Sequence, residues 1–317
     1  MEYFPSHSFV NCDRHPFSAA PPVIPRPCRV HLLALGDVGS TLALGLRLLG
    51  GDVISTLGIC DLRENVPQRW EFELNQVNAL GEGRFPAVEI VDVDDVLDCD
   101  VFLFCASRFV PDTAVKSGDV RMAQYELNRP LAASYARMAG ERGFRGMFCV
   151  VSDPVDPLCR AALLEGGLSA GQIRGFGLGV MDARARYYAA RDARFAAYLT
   201  EGRAFGPHGE GLVLANSIDR YDDALSRELT EKVKRANLDM RALGFKPYAA
   251  PALSSGALSL LACLRGEWHH SSVFMDGVYF GIRNRLVDGG IEMERLPLPD
   301  ALLERVREAV EGLQAIR

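Results

Sequence analysis

The sequence of 317 residues predicts an α/β fold: a doubly wound parallel sheet followed by an α+β domain. Three observations predict it. Short apolar runs alternate with helical stretches from Val30 to Val151. A glycine turn joins the first run to the first helix. After Gly175 the texture changes to longer, amphipathic helices. Apolar runs of about four to eight residues read as strands buried on both faces, and parallel neighbours need a crossover that covers the sheet.

Residues 1–28 stand apart. Phe-Pro, His-Pro, Ala-Pro-Pro and Ile-Pro-Arg-Pro punctuate them without apolar periodicity, so an irregular, Pro-rich arm is expected. They lack the continuous apolar stretch a signal peptide needs. Val30–Leu35 is the first strand, Gly36–Gly39 the turn, Ser40–Leu49 the first helix, and Val53–Cys60 a second strand ending at Asp61. Val101–Cys105 and Met147–Val151 are further buried strands, with helix-forming composition over Val120–Gly140 between them. Leu225–Leu243 reads as an amphipathic, charged helix. Ala301–Ile316 places Leu302, Leu303, Val306, Val310 and Leu313 on one stripe, with Pro299 and Asp300 where that helix should start. Residues 29–169 are therefore expected to form a first domain and 170–317 a second.

Composition excludes several classes. Lys and Arg number 35 against 41 Asp and Glu, a net charge of −6, which argues against the clustered cations that release counterions from nucleic acid. No run of about 18 apolar residues lacks a charge, so no membrane span is expected. Even the most apolar region, Val30–Leu49, holds Asp37 and Arg47. The 8 cysteines include no Cys-x-x-Cys pair, and the adjacent His269 and His270 cannot share one helical face; no metal site is expected. Cys60, Cys105 and Cys149 sit in strand-like runs, so the thiols read as reduced core packing and the protein as cytoplasmic.

Two motifs carry chemistry. In Ala34-Leu35-Gly36-Asp37-Val38-Gly39, Gly36 and Gly39 supply the last two glycines of Gly-x-Gly-x-x-Gly, and Ala34 replaces the first. The turn follows a strand and opens a helix, where a pyrophosphate meets backbone N–H groups. Asp61 comes 22 residues after Gly39, at the end of the next strand, where an acid accepts from ribose hydroxyls; this favours NAD over NADP. The first domain thus reads as a Rossmann-type dinucleotide domain. In Gly206-Pro207-His208-Gly209-Glu210-Gly211, a histidine between glycines is presented with little crowding and can exchange a proton near neutral pH.

From about Val30 onward, these residues resemble the L-lactate/malate dehydrogenase family. Gly36, Asp37, Val38, Gly39 and Asp61 match its cofactor motif, with Ala106 at the next strand end. Ser117-Gly118-Asp119-Val120-Arg121 and Tyr125-Glu126-Leu127-Asn128 look like its mobile active-site loop and the following helix. Ser152-Asp153-Pro154-Val155-Asp156 looks like its Asn-Pro-Val-Asp turn. Gly175-Phe176-Gly177 through Arg184 and Tyr187 looks like the segment bearing its catalytic Asp and substrate Arg, and Gly206–Glu210 like its catalytic His motif. The resemblance implies an NAD-dependent oxidoreductase interconverting an L-2-hydroxy acid and a 2-oxo acid, working as a homodimer or homotetramer, with residues 170–317 as substrate domain. His208 would be the general acid/base, Arg184 would grip the substrate carboxylate, and Arg121 would polarise the carbonyl.

Three departures bear on activity. Aligned without gaps on Arg184, the catalytic Asp position falls on Met181, which can neither orient His208 nor stabilise imidazolium. Asp182 is adjacent, but one residue on a helix is a rotation of about 100°. Asp153 stands where the family has Asn, so Asp153 or Asp182 is expected to have become the acidic partner of His208, with Asp153 also beside the cofactor. Val115, counted back from Arg121, falls at the substrate-selecting position; it offers no charge to a second carboxylate and favours pyruvate or a bulkier apolar 2-oxo acid over oxaloacetate. Two other readings remain open. One is an NAD-binding, catalytically impaired homologue acting as a sensor or interaction protein. The other, a metal- and NAD-dependent glycosidase, is disfavoured because Cys149–Pro154 lacks the Asn of the expected metal motif.

Overall fold

Alternation along the central strands shows that both faces of the sheet are covered. Leu33, Phe102, Phe104, Phe148 and Val150 pack into one apolar cluster, while Val30, Leu32, Val101, Leu103, Met147 and Cys149 pack into another on the opposite face. The computed structural model describes residues 2–5, 20–81, 83–108, 120–288 and 290–316.

The sheet begins with β2 (Cys28–Leu33), followed by α1 (Asp37–Leu49), β3 (Ile54–Cys60), α2 (Val66–Gln76), β4 (Ala87–Ile90) and β5 (Val101–Phe104). Next come α3 (Val120–Glu141), β6 (Met147–Val150), α4 (Val155–Gly166) and β7 (Ile173–Gly175). These strands lie parallel in the order β4-β3-β2-β5-β6-β7, so the direction of winding reverses between β2 and β5. One cluster lies under α3 and α4. The other lies under α1 and an eight-residue π-helix, Pro251–Leu258, that runs into α8 (Ser259–Arg265).

β7 belongs to this parallel sheet, although the texture of the sequence put the division between domains at residue 169. The sheet then continues without a break: β10 (His269–Met275) pairs antiparallel with β7, followed by β11 (Val278–Val287) and β12 (Gly290–Met293). A two-residue turn, Asp276-Gly277 with φ of 46° and 81°, joins β10 to β11; positive φ at both positions matches the right-handed twist of a hairpin.

Between β7 and β10 lie α5 (Gly179–Ala189), α6 (Tyr198–Glu201), the hairpin of β8 (Arg203–Phe205) and β9 (Val213–Ala215), and α7 (Asp223–Ala242). Asp222 caps α7 by accepting from Leu225 N–H at 2.9 Å. The last helix, α9 (Asp300–Ala315), buries the expected stripe from Leu302 to Leu313.

The arm differs from expectation at its start. Residues 2–4 form β1, antiparallel to β13 (Leu296–Leu298), and Phe4 is buried edge-on between Phe205 and Phe280 at ring-centre distances of 6.0 and 6.1 Å. A buried aromatic ring and a ladder of backbone hydrogen bonds fix a segment that periodicity alone left irregular. Residues 6–19 lie outside the described residues. The seven described cysteines are free thiols, all buried except the half-buried Cys105. No helix among the described residues is long and apolar enough to cross a membrane.

Candidate active site

In an open parallel sheet the crevice opens beyond the carboxyl ends of the strands where winding reverses, because the flanking helices leave in opposite directions. Here the segments after β2, β3, β5 and β6 line a cleft of about 1120 Å³ there, and His208, α7 and the π-helix close its far side.

The glycine turn forms the floor. Gly36 precedes α1, and a Cβ at Gly36 would meet nothing within 4 Å, so the turn faces open space. Gly39 is enclosed: its Cβ would fall 1.9 Å from the Ala34 carbonyl oxygen, so only glycine lets α1 approach β2 this closely. Asp37 and Val38 line the cleft, and Asp37 pairs with Lys246 at 3.2 Å across it. Asp61 accepts from Leu35 N–H at 2.7 Å and from Arg63 through the backbone N–H and Nε at 2.9 Å and Nη2 at 2.8 Å. Burial works against its ionisation, but the bonds from Arg63 and Leu35 outweigh it and hold the carboxyl below the usual range.

His208 is 6% exposed, on the turn that follows β8. Gly206, at φ 89°, donates to the Gly281 carbonyl at 2.9 Å and fixes the base of this turn. Gly177 lets the ring come down on the strand ends, since a Cβ there would lie 2.9 Å from that of His208. His208 Nδ1 lies 3.1 Å from Asp153 Oδ1. Asn128 holds the Asp153 turn: buried on α3, it donates to the Asp153 carbonyl at 2.9 Å and accepts from Arg108 N–H at 2.8 Å. Ala106 sits in the same arch, its carbonyl accepting from Ser152 Oγ at 2.7 Å. From the sequence, Asn128 was placed only in the segment resembling the helix after the active-site loop; a polar residue on the buried face of a helix was the signal for this role.

The structure separates the other candidates from this pair. Asp182 faces away from His208: it accepts from Tyr198 Oη at 3.0 Å and from Arg186 Nε at 2.7 Å, because its place on α5 points it at α6. Asp182 is therefore corrected from a possible histidine partner to a structural acid. Burial first, then the Asp182 carboxylate, pushes the Tyr198 hydroxyl well above its ordinary pKa. Met181 is buried in the core of the second half, its Sδ 3.6 Å from Arg184 Nη1. Arg184 donates through Nη2 to Asn237, and it is Asn237 that lines the cleft. Val115 and the side chain of Arg121 lie outside the described residues. Lys234, Tyr248 and Ser255 also line the cleft, though nothing in the sequence marked them. Cys105 stands at its edge with its thiol pKa pushed well up by burial, so it is no thiolate nucleophile. Among the described residues no group of three or more His, Cys, Asp or Glu is placed to hold a metal ion.

Comparison with known proteins gives a consistent placement. No family model matches the chain. The L-lactate dehydrogenase of Treponema denticola is 29% identical over 192 residues, a stretch that covers 60% of this chain and 58% of that protein's length. The L-lactate dehydrogenase of Macrococcus caseolyticus is 25% identical over 318 residues, covering 91% of this chain and 96% of that protein. Among solved structures, the malate dehydrogenase of Cryptosporidium parvum shares the fold with a TM-score of 0.74 at 19% identity, over 90% of this chain and 96% of that one. The chain is thus similar to L-lactate dehydrogenases along nearly its whole length and shares the fold of the malate dehydrogenase.

Proposed function

We propose that the protein is an NAD-dependent oxidoreductase that interconverts an L-2-hydroxy acid and a 2-oxo acid. The observation that carries this reading is His208 held 3.1 Å from Asp153 in the cleft that the glycine turn opens onto. The residues fit a dinucleotide: a helix N-terminus preceded by a glycine with open space before it suits a pyrophosphate, and an acid stands at the next strand end.

When bound, the nicotinamide supplies or accepts the hydride. The chain's own residues manage the proton and the charge. With Nδ1–H donating to Asp153, His208 gives a proton from Nε2 to the oxygen at C2 as the 2-oxo acid is reduced, and takes it back in reverse. Asp153, as a carboxylate, would fix the tautomer that turns Nε2 toward the substrate, an orienting role that Met181 cannot fill. Arg121, at the start of α3, would polarise the carbonyl, and Arg184 would support carboxylate binding together with Asn237. With Val115 at the selecting position, the substrate carries an apolar side chain.

The test is NADH oxidation against a panel of 2-oxo acids, with His208→Gln as control. The expected result is turnover of an apolar 2-oxo acid that falls at least about 100-fold in the variant. One observation favours a second reading: the buried Met181, with Arg184 tied to Asn237, suits a catalytically impaired homologue that binds NAD as a sensor or interaction protein. NADH binding with no turnover of any panel member would select that reading.

A further inference from the structure

Arg63 lies at the far end of the cleft from His208, two residues after the acid assigned to the ribose. An ionised carboxylate offers about four acceptor positions. Asp61 uses four within the chain, one for Leu35 N–H and three for Arg63, and its side chain is only 5% exposed. Ribose hydroxyls can bond to this acid only after the guanidinium withdraws. Arg63, by contrast, is 61% exposed and lines the cleft. Nε and Nη2 each give Asp61 one of the five guanidinium N–H donors, and among the described residues the other donors meet no acceptor. On the same rim Asp37, which also acts on Arg63, pairs with Lys246.

We propose that Arg63 turns the adenosine end of this site into one that accepts a 2′-phosphate, so that the protein binds NADP(H) as well as NAD(H). The proposal rests on the nucleotide reading above and departs from its preference for NAD. An acid at this position excludes a 2′-phosphate by like-charge repulsion and by demanding a hydroxyl donor. Arg63 removes both obstacles. It neutralises Asp61 through Nε and Nη2, and its remaining guanidinium N–H donors can bond a phosphate oxygen while that pair holds. NAD(H) carries a cost of its own, since its ribose hydroxyls must displace part of that ion pair, and this offsets the preference that an acid gives it. The two nucleotides therefore bind with similar strength.

Equilibrium titration of the full chain with NADH and NADPH, followed by nicotinamide fluorescence, tests this without turnover. The two dissociation constants are expected to lie within about tenfold of each other. Arg63→Gln should weaken NADPH by about 10- to 100-fold, since charge-assisted bonds to phosphate are lost, while NADH binds no more weakly because Asp61 is released. Arg63→Lys should restore part of the NADPH affinity, as a point charge without the fork. NADPH weaker than NADH by more than about tenfold in the unaltered protein, or an Arg63→Gln variant that shifts both nucleotides equally, overturns the proposal. Binding of NADH alone overturns only this proposal; binding of neither overturns the nucleotide reading with it.

Discussion

Ala34 occupies the left-handed region at φ 77°, where its Cβ crowds the backbone. Its N–H donates to the Cys60 carbonyl at 2.7 Å, and its own carbonyl abuts Gly39, so the turn cannot relax. Glycine at this position would remove the strain at some cost in unfolded-state entropy. Ala34→Gly is therefore expected to stabilise the fold by about 0.5–1 kcal/mol, measured as a higher urea midpoint. Asp182 gives the opposite case. Asn keeps one oxygen for the buried Tyr198 hydroxyl but sets an NH2 against the Arg186 Nε, so Asp182→Asn should cost about 1 kcal/mol of stability yet leave turnover within a few-fold, as steady-state rates would show. The sequence presented Asp153 and Asp182 as equals because both sit near family motifs. Only the fold decides between them: His208 and Asp153 are 55 residues apart in sequence and meet where the turn after β8 faces the turn after β6, whereas the position of Asp182 on α5 directs it to α6.

The elements were legible where a single physical signal governed them. β5 and β6 are continuous apolar runs because both their faces are buried, β2 and β3 are apolar over most of their buried residues, and α9 shows a clean stripe because one face is buried. β4 was missed: its four residues, Ala-Val-Glu-Ile, lie at the sheet edge and bury only Val88. β7 has three residues, one of them the fully buried Arg174, which breaks the apolar signal. The π-helix was invisible for a different reason, since its stability depends on contacts from elsewhere. Ser255 Oγ donates to the Gly177 carbonyl at 2.6 Å and accepts from Val180 N–H at 2.8 Å, tying the π-helix to the start of α5 and to the segment under His208. Ser255→Ala leaves both backbone groups unsatisfied in a buried place. It should lower stability by about 1–3 kcal/mol and reduce turnover through loosening of the Gly177 segment, checked by urea unfolding alongside steady-state rates.

At the scale of the molecule, one sheet runs through both halves, and the charge buried at their junction sets a pH dependence. His269 on β10 is enclosed beside Arg174; burial first, then that guanidinium, lowers its pKa to about 3. Its ring is bonded to the Glu267 carbonyl and to Ser271 Oγ, both at 3.0 Å, as a neutral imidazole can be. Burial also lowers the pKa of His31 and His270. Below pH 6.5 the unfolded chain takes up protons on these histidines that the folded chain refuses. Stability is therefore full above the ordinary value and falls as pH drops, with His269 contributing down to about pH 3. The slope is about 1.4 kcal/mol per pH unit for each histidine within its window. Urea midpoints should fall from pH 7 to pH 5, and His269→Gln should flatten that fall; a midpoint that rises toward pH 5 would refute the assignment.

On the proposed reading, Asp153 has taken over as the acidic partner of His208. The most direct measurement is the kcat of Asp153→Asn with the panel's best 2-oxo acid, with NADH affinity measured on the same preparation. A fall of about 10²- to 10⁴-fold in kcat is expected with NADH binding retained; turnover equal to that of the unaltered protein would rule out Asp153 as the partner of His208.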